Sequence, residues 1–365
     1  MRNTIRLAAL ICMVVMAACA SPGGGGDDST TTSAGNGGET TIPASTTSST
    51  LEPSTLSVGV YPGTLLSLPD YVGVEKGIFA EHGIELDMVT MSSGPENIAG
   101  LASGTLDVTG VSADLVMQAN AEGQDLAVLV EKWPASIYTW LARTDWATPN
   151  AGAGYPDVVK DFAGARVGVT ARGAQTELIT RAFLSDAGLD PETSVDYVAV
   201  GAGAAAIAAF QADQVDIMVA FEPSQSILIH SQGIAKPVLD LRAGEGPDYF
   251  AVWSNLSQVG DRAKMDADPD VYRRYRAAFI ETIEWMQDPA NEDEVIAIAQ
   301  GLIDLEPEVV EIMVRENLGI YGTVYRCAAH ENLGRYLVTT EQLEEAQIPA
   351  CEDLVWDSDE YRPEQ

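Results

Sequence analysis

The sequence predicts an α/β protein of two similar lobes with a ligand crevice between them, and three observations carry that prediction. The first is an internal repeat. Leu106-Asp107-Val108 in GLASGTLDVTG returns as Val215-Asp216-Ile217 in AFQADQVDIMV, an offset of 109 residues. SVGV at 57–60 returns as RVGV at 166–169 at the same offset, and Gly94, Ile98 and Leu101 return as Gly203, Ile207 and Phe210. The second is the order of elements within each copy. Short β-rich runs alternate with helices of apolar 3.6-residue period, which implies parallel strands covered by helices. The third is size. Without its low-complexity head the chain keeps about 310 residues, more than one core usually holds. Ligands of open α/β sheets bind beyond the C-terminal ends of the strands, so the function is expected between the two copies.

The head comes first. Arg2 and Arg6 precede an apolar run, Leu7 to Met16, that is too short to span a bilayer as a helix. Small residues follow in MAAC, so residues 1–18 read as an export signal. Cys19 directly after Ala17-Ala18 resembles a bacterial lipobox, which implies a lipid anchor on Cys19. Residues 19–54 are Gly, Ser, Thr, Asp and Pro with almost nothing to bury, and that composition predicts a disordered tether.

In the first copy LSVGVY reads as a strand, and IELDMVTM as the next, after Gly83. GPENIAGLAS then reads as a Gly-opened helix leading into the strand LDVTGV. The second copy runs ARVGVT, a helix carrying Leu178, Ile179, Ala182 and Phe183, then Gly188 as its C-terminal cap. It continues with VDYVAVG, GAGAAAIAAFQA and VDIMVAF. Beyond residue 260, DPDVYRRYRAAFIETIEWMQDP and EPEVVEIMVRENLGI read as helices packing on the first lobe.

Twenty basic against 54 acidic residues give a net charge of −34, which argues against nucleic-acid binding. Cys327 and Cys351 are the only cysteines of the body, and in an oxidising compartment they are expected to pair. No metal motif, Ser/His/Asp order or phosphate loop is present, so no cofactor and no metal are expected.

Four stretches in order carry a family resemblance: VEKGIFAEHGIELDMV, ENIAGLASGTLDV, DFAGARVGVTARGAQTEL and VDIMVAFEPSQ. Together they resemble the ABC-transporter substrate-binding proteins of the SsuA/THI5-like (NitT/TauT, NMT1-like) group over residues 56 to about 240. The resemblance implies a two-lobed type II periplasmic-binding-protein fold with an interlobe ligand cleft. It places lobe 1 at 55–142 plus 240–365 and lobe 2 at 143–239, with crossings near 141–143 and 239–242. It also implies a small-molecule ligand, ABC permease subunits as partners, attachment to the membrane by the lipid anchor, and a monomer.

The loops after the strands supply the candidate ligand-binding residues. In the first copy these are Tyr61 and Leu65 after the first strand, Ser92 and Ser93 before the Gly-opened helix, and Ser112 and Ala113 after LDVTGV. Trp133 and Tyr138 precede the first crossing, where aromatics suit a planar or apolar ligand. In the second copy they are Arg172, Gly173, Gln175 and Thr176 at a helix start, where free N–H groups suit an anionic or polar group, and Phe221 and Glu222. Glu222 in the cleft would favour an amino or amidine donor on the ligand, and Arg172 would favour an anion; on sequence alone both stand. Two other functions share these motifs: a pyrimidine-precursor synthase of the same group, and a sensor or scaffold that presents a bound solute. The synthase needs a donor histidine, and this body offers only His82, His230 and His330 in segments that read as surface or helix end.

Overall fold

The computed structural model describes residues 52–364. The expected export signal, Cys19 and nearly all of the expected tether lie outside those residues. Among the described residues ten strands form two five-stranded mixed sheets: β1 (Ser54–Val60), β2 (Ile84–Thr90), β3 (Val108–Val111), β4 (Leu126–Trp133), β5 (Thr139–Arg143), β6 (Arg166–Val169), β7 (Asp196–Ala199), β8 (Ile217–Ala220), β9 (Ala235–Asp240) and β10 (Leu256–Asp261). The first sheet has the order β2-β1-β3-β10-β4 and the second β7-β6-β8-β5-β9. In each, the repeated strands are parallel and the fourth strand runs antiparallel to its neighbours.

The repeat therefore builds the same half-sheet twice, and its aspartate makes the same bond twice. Asp107 Oδ2 accepts from the Ser57 N–H at 3.0 Å, and Asp216 Oδ2 accepts from the Arg166 N–H at 2.8 Å. Each aspartate thus satisfies a strand-edge donor that the ladder leaves over. Gly59 is required by close approach: a Cβ there would sit 2.3 Å from Thr109 Oγ1 and 2.6 Å from Asn97 Oδ1.

The helices are α1 (Leu68–Glu75), α2 (Ile78–Glu81), α3 (Gly94–Ser103), α4 (Ala113–Ala121), α5 (Gln175–Asp186), α6 (Ala204–Gln211), the single turn α7 (Ser224–Ser226), α8 (Arg262–Ala267), α9 (Pro269–Gln287), α10 (Glu292–Leu302), α11 (Pro307–Asn317), α12 (Cys327–Thr339) and α13 (Cys351–Leu354). Gly83 and Gly188, which end α2 and α5, both take the left-handed conformation, as a glycine cap should. The long α9 packs on α1, α2 and β4, so the C-terminal helices add their apolar faces to the first sheet. Cys327 and Cys351 are bonded and tie α12 to α13. Among the described residues no helix is long and apolar enough to cross a membrane.

The first crossing lies earlier than expected. Thr139–Arg143 already pairs with β8 and β9, so the chain leaves the first sheet between Trp133 and Thr139. The reason is side-chain fit: Trp140, Leu141 and Ala142 are wholly buried in the second sheet, where they supply the antiparallel strand that the repeat lacks. The return crossing runs from Asp240 to Leu256.

The two cores differ. The first sheet buries ionisable groups: Lys132 Nζ lies 2.5 Å from Asp70 Oδ2, and Gln258 Nε2 donates to Asp70 Oδ1 at 2.8 Å. Next to them Glu131 is fully buried, accepting from Ser254 Oγ at 2.6 Å and from the N–H groups of Lys132 and Trp133. Burial pushes its carboxyl up to about 7, with the Ser254 bond and those N–H groups opposing. The short strand β8 at the centre of the second sheet carries only Ile217, Met218, Val219 and Ala220, all buried.

Candidate functional site

Three helix starts aim at one point. α3 follows β2, α4 follows β3 and α5 follows β6, so their N-termini converge at the C-terminal ends of parallel strands from both sheets. Between them lies a small cavity of ≈ 40 Å³. The first lobe lines it with Tyr61, Leu66, Ser93, Ser112, Leu115 and Asn255; Tyr138, Thr170, Gln175, Thr176 and Phe221 close it from the second.

The lobes touch directly here. Gln175, the first residue of α5, accepts from Tyr138 Oη at 2.9 Å and donates Nε2 to Asp114 Oδ1 at 2.8 Å. Asp114 sits in the first turn of α4, on the opposite side of the crevice. Nearby, Gly203 lies so close to the first lobe that a Cβ would reach 3.5 Å from the Pro62 carbonyl oxygen. The structure is a closed one.

Asp114 is the electrostatic centre of this contact. It is wholly buried, and burial raises its pKa to about 6, while Ser112, the helix-start N–H groups and Gln175 pull it partly back. Its Oδ2 lies near those donors but in hydrogen-bonding geometry with none among the described residues. Asn255 is in a similar state. It lines the cavity against Tyr138, yet neither its Nδ2 nor its Oδ1 meets a partner in hydrogen-bonding geometry among the described residues. Tyr61 and Tyr138 have their phenols raised by burial; Asn97 Nδ2 donates to Tyr61 Oη at 2.6 Å and holds the ring in place. Thr176 Oγ1 accepts from the Thr170 N–H at 3.0 Å, which fixes the second-lobe loop. None of the cavity's lining residues is Lys, Arg or His.

Of the expected residues, Tyr61, Ser93, Ser112, Tyr138, Gln175, Thr176 and Phe221 meet at this cavity. The others are elsewhere. Leu65 is buried one residue away, with its carbonyl accepting from Tyr321 Oη. Ser92 is exposed and donates to Glu96. Ala113 is buried in the helix start, and Trp133 packs on Tyr321 with ring centroids 4.8 Å apart. Arg172 is exposed, paired with Glu177 and lying over Tyr197. Gly173 is exposed and its N–H is already taken by Glu177 Oε2 at 2.8 Å, so it is not a free anion donor. Glu222 accepts from the Ser226 N–H and faces Arg242, outside the lining. Asn97, Asp114, Leu115, Thr170 and Asn255 were not foreseen. Asp114 had a signal in SAD at 112–114, one residue past the serine; Asn255 had none, because it lies beyond the repeat.

The pattern of the NMT1-like family matches residues 49–300. The chain belongs to the NMT1-like family. Among curated proteins, YtlA of Bacillus subtilis is 21% identical over 252 residues, covering 67% of this chain and 70% of YtlA. Among solved structures, the alkanesulfonate-binding protein SsuA of Xanthomonas axonopodis pv. citri, bound to MOPS, superposes with a TM-score of 0.66 at 18% identity, over 84% of this chain and 99% of SsuA. The periplasmic nitrate-binding protein NrtA of Synechocystis PCC 6803 gives 0.67 at 15% identity, over 85% and 88%. This NMT1-like chain thus has the periplasmic-binding-protein fold, as its four motifs implied.

Proposed function

We propose that this protein is the extracytoplasmic solute receptor of an ABC importer. It closes its two lobes over a small nitrogen- or sulfur-containing organic molecule and hands it to permease subunits. The observation that carries this reading is the closed crevice itself, lined from both lobes and bridged by Gln175 and Asp114. Only a closed state presents both sets of groups to a ligand, so affinity and closure are coupled. The family and the sulfonate- and nitrate-binding structural neighbours support the same class.

The reading treats Cys19 as the lipid attachment that holds a monomer on the outer face of the cytoplasmic membrane. It assigns no catalysis. Among the histidines that a pyrimidine-precursor synthase would need, His82 pairs with Glu281, His330 bonds to Pro349 and Tyr325, and His230 is exposed; none lines the cavity.

A metabolite-pool titration followed by small-angle scattering tests this. We expect the scattering radius to fall and the melting point to rise by a few degrees at ligand concentrations about 100 times the dissociation constant. An unchanged radius and melting point across the pool would sink the receptor reading.

A further inference from the structure

We infer that the ligand is a compact, uncharged amide- or urea-type molecule, one that offers N–H donors beside a carbonyl, and not an oxyanion. This rests on the receptor reading above and narrows it.

The first argument is charge. A sulfonate or nitrate closed in a small crevice needs a cation or a cluster of free N–H donors to replace its water. No lining residue is a cation. The nearby basic groups are engaged elsewhere: Arg172 with Glu177, Arg242 with Glu222 and Asp240, and Lys132 with Asp70. The start of α5 is the natural anion cradle, but Glu177 is already there. Its buried carboxylate accepts from the Gly173 N–H and from Arg172 and Arg181. On the facing lobe Asp114 presents a second carboxyl. Glu177 is balanced by its two arginines and Asp114 lies behind Gln175, so neither wall offers a free cation to balance an oxyanion.

The second argument is unmet hydrogen bonding. Asn255 is 1% exposed and lines the cavity beside Tyr138, with neither its donor nor its acceptor in strict hydrogen-bond geometry among the described residues. A side-chain amide pairs in two-point fashion with an edge that carries N–H next to C=O, as amides, lactams and ureas do. Asp114 Oδ2, buried directly behind Gln175, is a second acceptor without a donor in such geometry. A second N–H on the ligand would supply it. Buried polar groups in this state cost stability until something pairs them, so the ligand that pairs them gains most.

The third is size. The crevice is small and closed from both lobes, which favours a compact solute over a long-chain one.

Isothermal titration of the whole protein with urea, acetamide and hydantoin, against sodium nitrate and methanesulfonate, tests the assignment. Binding by one or more of the amide-type probes and by neither anion is expected. Asp114→Asn keeps the shape while replacing an acceptor-only group, and Asn255→Asp removes the donor; each should weaken amide-type binding by about tenfold or more. Tighter binding of nitrate or methanesulfonate, or amide binding indifferent to both variants, would overturn the assignment. The pool experiment separates the failures: a shift with the metabolite pool but none with these probes rejects the ligand class and keeps the receptor. No shift with either rejects both.

Discussion

The two copies of the repeat agree in their sheets and disagree at the crevice. Asp107 and Asp216 hold the same strand N–H, residue for residue at the 109-residue offset. Yet the first copy opens α3 with Ser93 as a side-chain cap, while the second opens α6 from Gly203 without one. The first presents Ser93 and Ser112 to the cavity, and the second Gln175 and Thr176. A sheet asks little of its sequence beyond apolar strands, one strand-edge acceptor and room for a helix. A closed binding site asks for different groups on its two walls, because each wall must supply what the other lacks. Shared architecture with divergent loops is the outcome.

The cores diverge as well, and that difference makes the largest expected effect. The first sheet buries Lys132 against Asp70, whereas β8 of the second buries only apolar side chains. Lys132→Met removes the cation and leaves Asp70 buried beside Gln258 alone. A charge stranded in this way typically costs about 3–5 kcal/mol, so a chemical-denaturation midpoint should drop sharply. The double change Lys132→Met with Asp70→Leu should recover much of that loss. If the single variant unfolds at the wild-type midpoint, the ion pair is not the first lobe's distinguishing feature.

The same charged core gives that lobe a pH dependence. Burial raises Glu131 to about 7 and Asp114 to about 6. Each binds its proton more tightly folded than unfolded. Their stabilising contribution is therefore complete below the ordinary carboxylate range and is lost as pH rises through those values. Asp216, Asp357 and Glu177 have lowered pKa values and act in the opposite sense, but below the ordinary range. His330, lowered by burial, opposes the raised pair as pH falls through the histidine range, so the cleanest reading is a difference between variants. Glu131→Gln should raise the melting point by a few degrees at pH 8 relative to wild type and lose that advantage at pH 5. Equal shifts at both pH values would show that Glu131 titrates as an ordinary surface carboxylate.

How much of this was legible follows from what is local. The repeat, the strand-edge aspartates, the capping glycines and the Cys327–Cys351 pair could be read because each depends on neighbours or on composition. Glu131 and Lys132 could not be read as core. In LAVLVEKW they look like the polar end of a strand, and the partners that allow their burial are distant: Asp70 of α1 for Lys132, 62 residues earlier, and Ser254 for Glu131, 123 residues later. Trp133 and Glu222 were expected in the crevice because of where they fall along the chain, but their partners, Tyr321 and Ser226, hold them out of it. Asn255 belongs to the crevice only because the chain returns there after the second lobe is complete. Contacts made across more than a hundred residues leave no mark in periodicity.

The smallest effect tests the repeat at a single backbone position. Gly104 ends α3 at φ +76°, and its counterpart at the 109-residue offset is Asp213, a non-glycine at φ +58°. Left-handed backbone costs an L residue roughly 1 kcal/mol or more, less for Asp than for most. Asp213 offsets that cost: its carbonyl accepts from Arg166 Nη1, and its carboxylate pairs with Arg166 and Arg143. The carbonyl bond survives in a glycine and the exposed ion pairs are each worth little, so Asp213→Gly should leave the melting point within about 2 °C of wild type. Gly104→Asp has no such compensation, since Lys264 Nζ lies 3.9 Å from where its Cβ would be and already serves Asp107. It should destabilise by about 1 kcal/mol. Two variants of equal cost would mean that Arg166 and Arg143 do not distinguish the second copy's helix end from the first's.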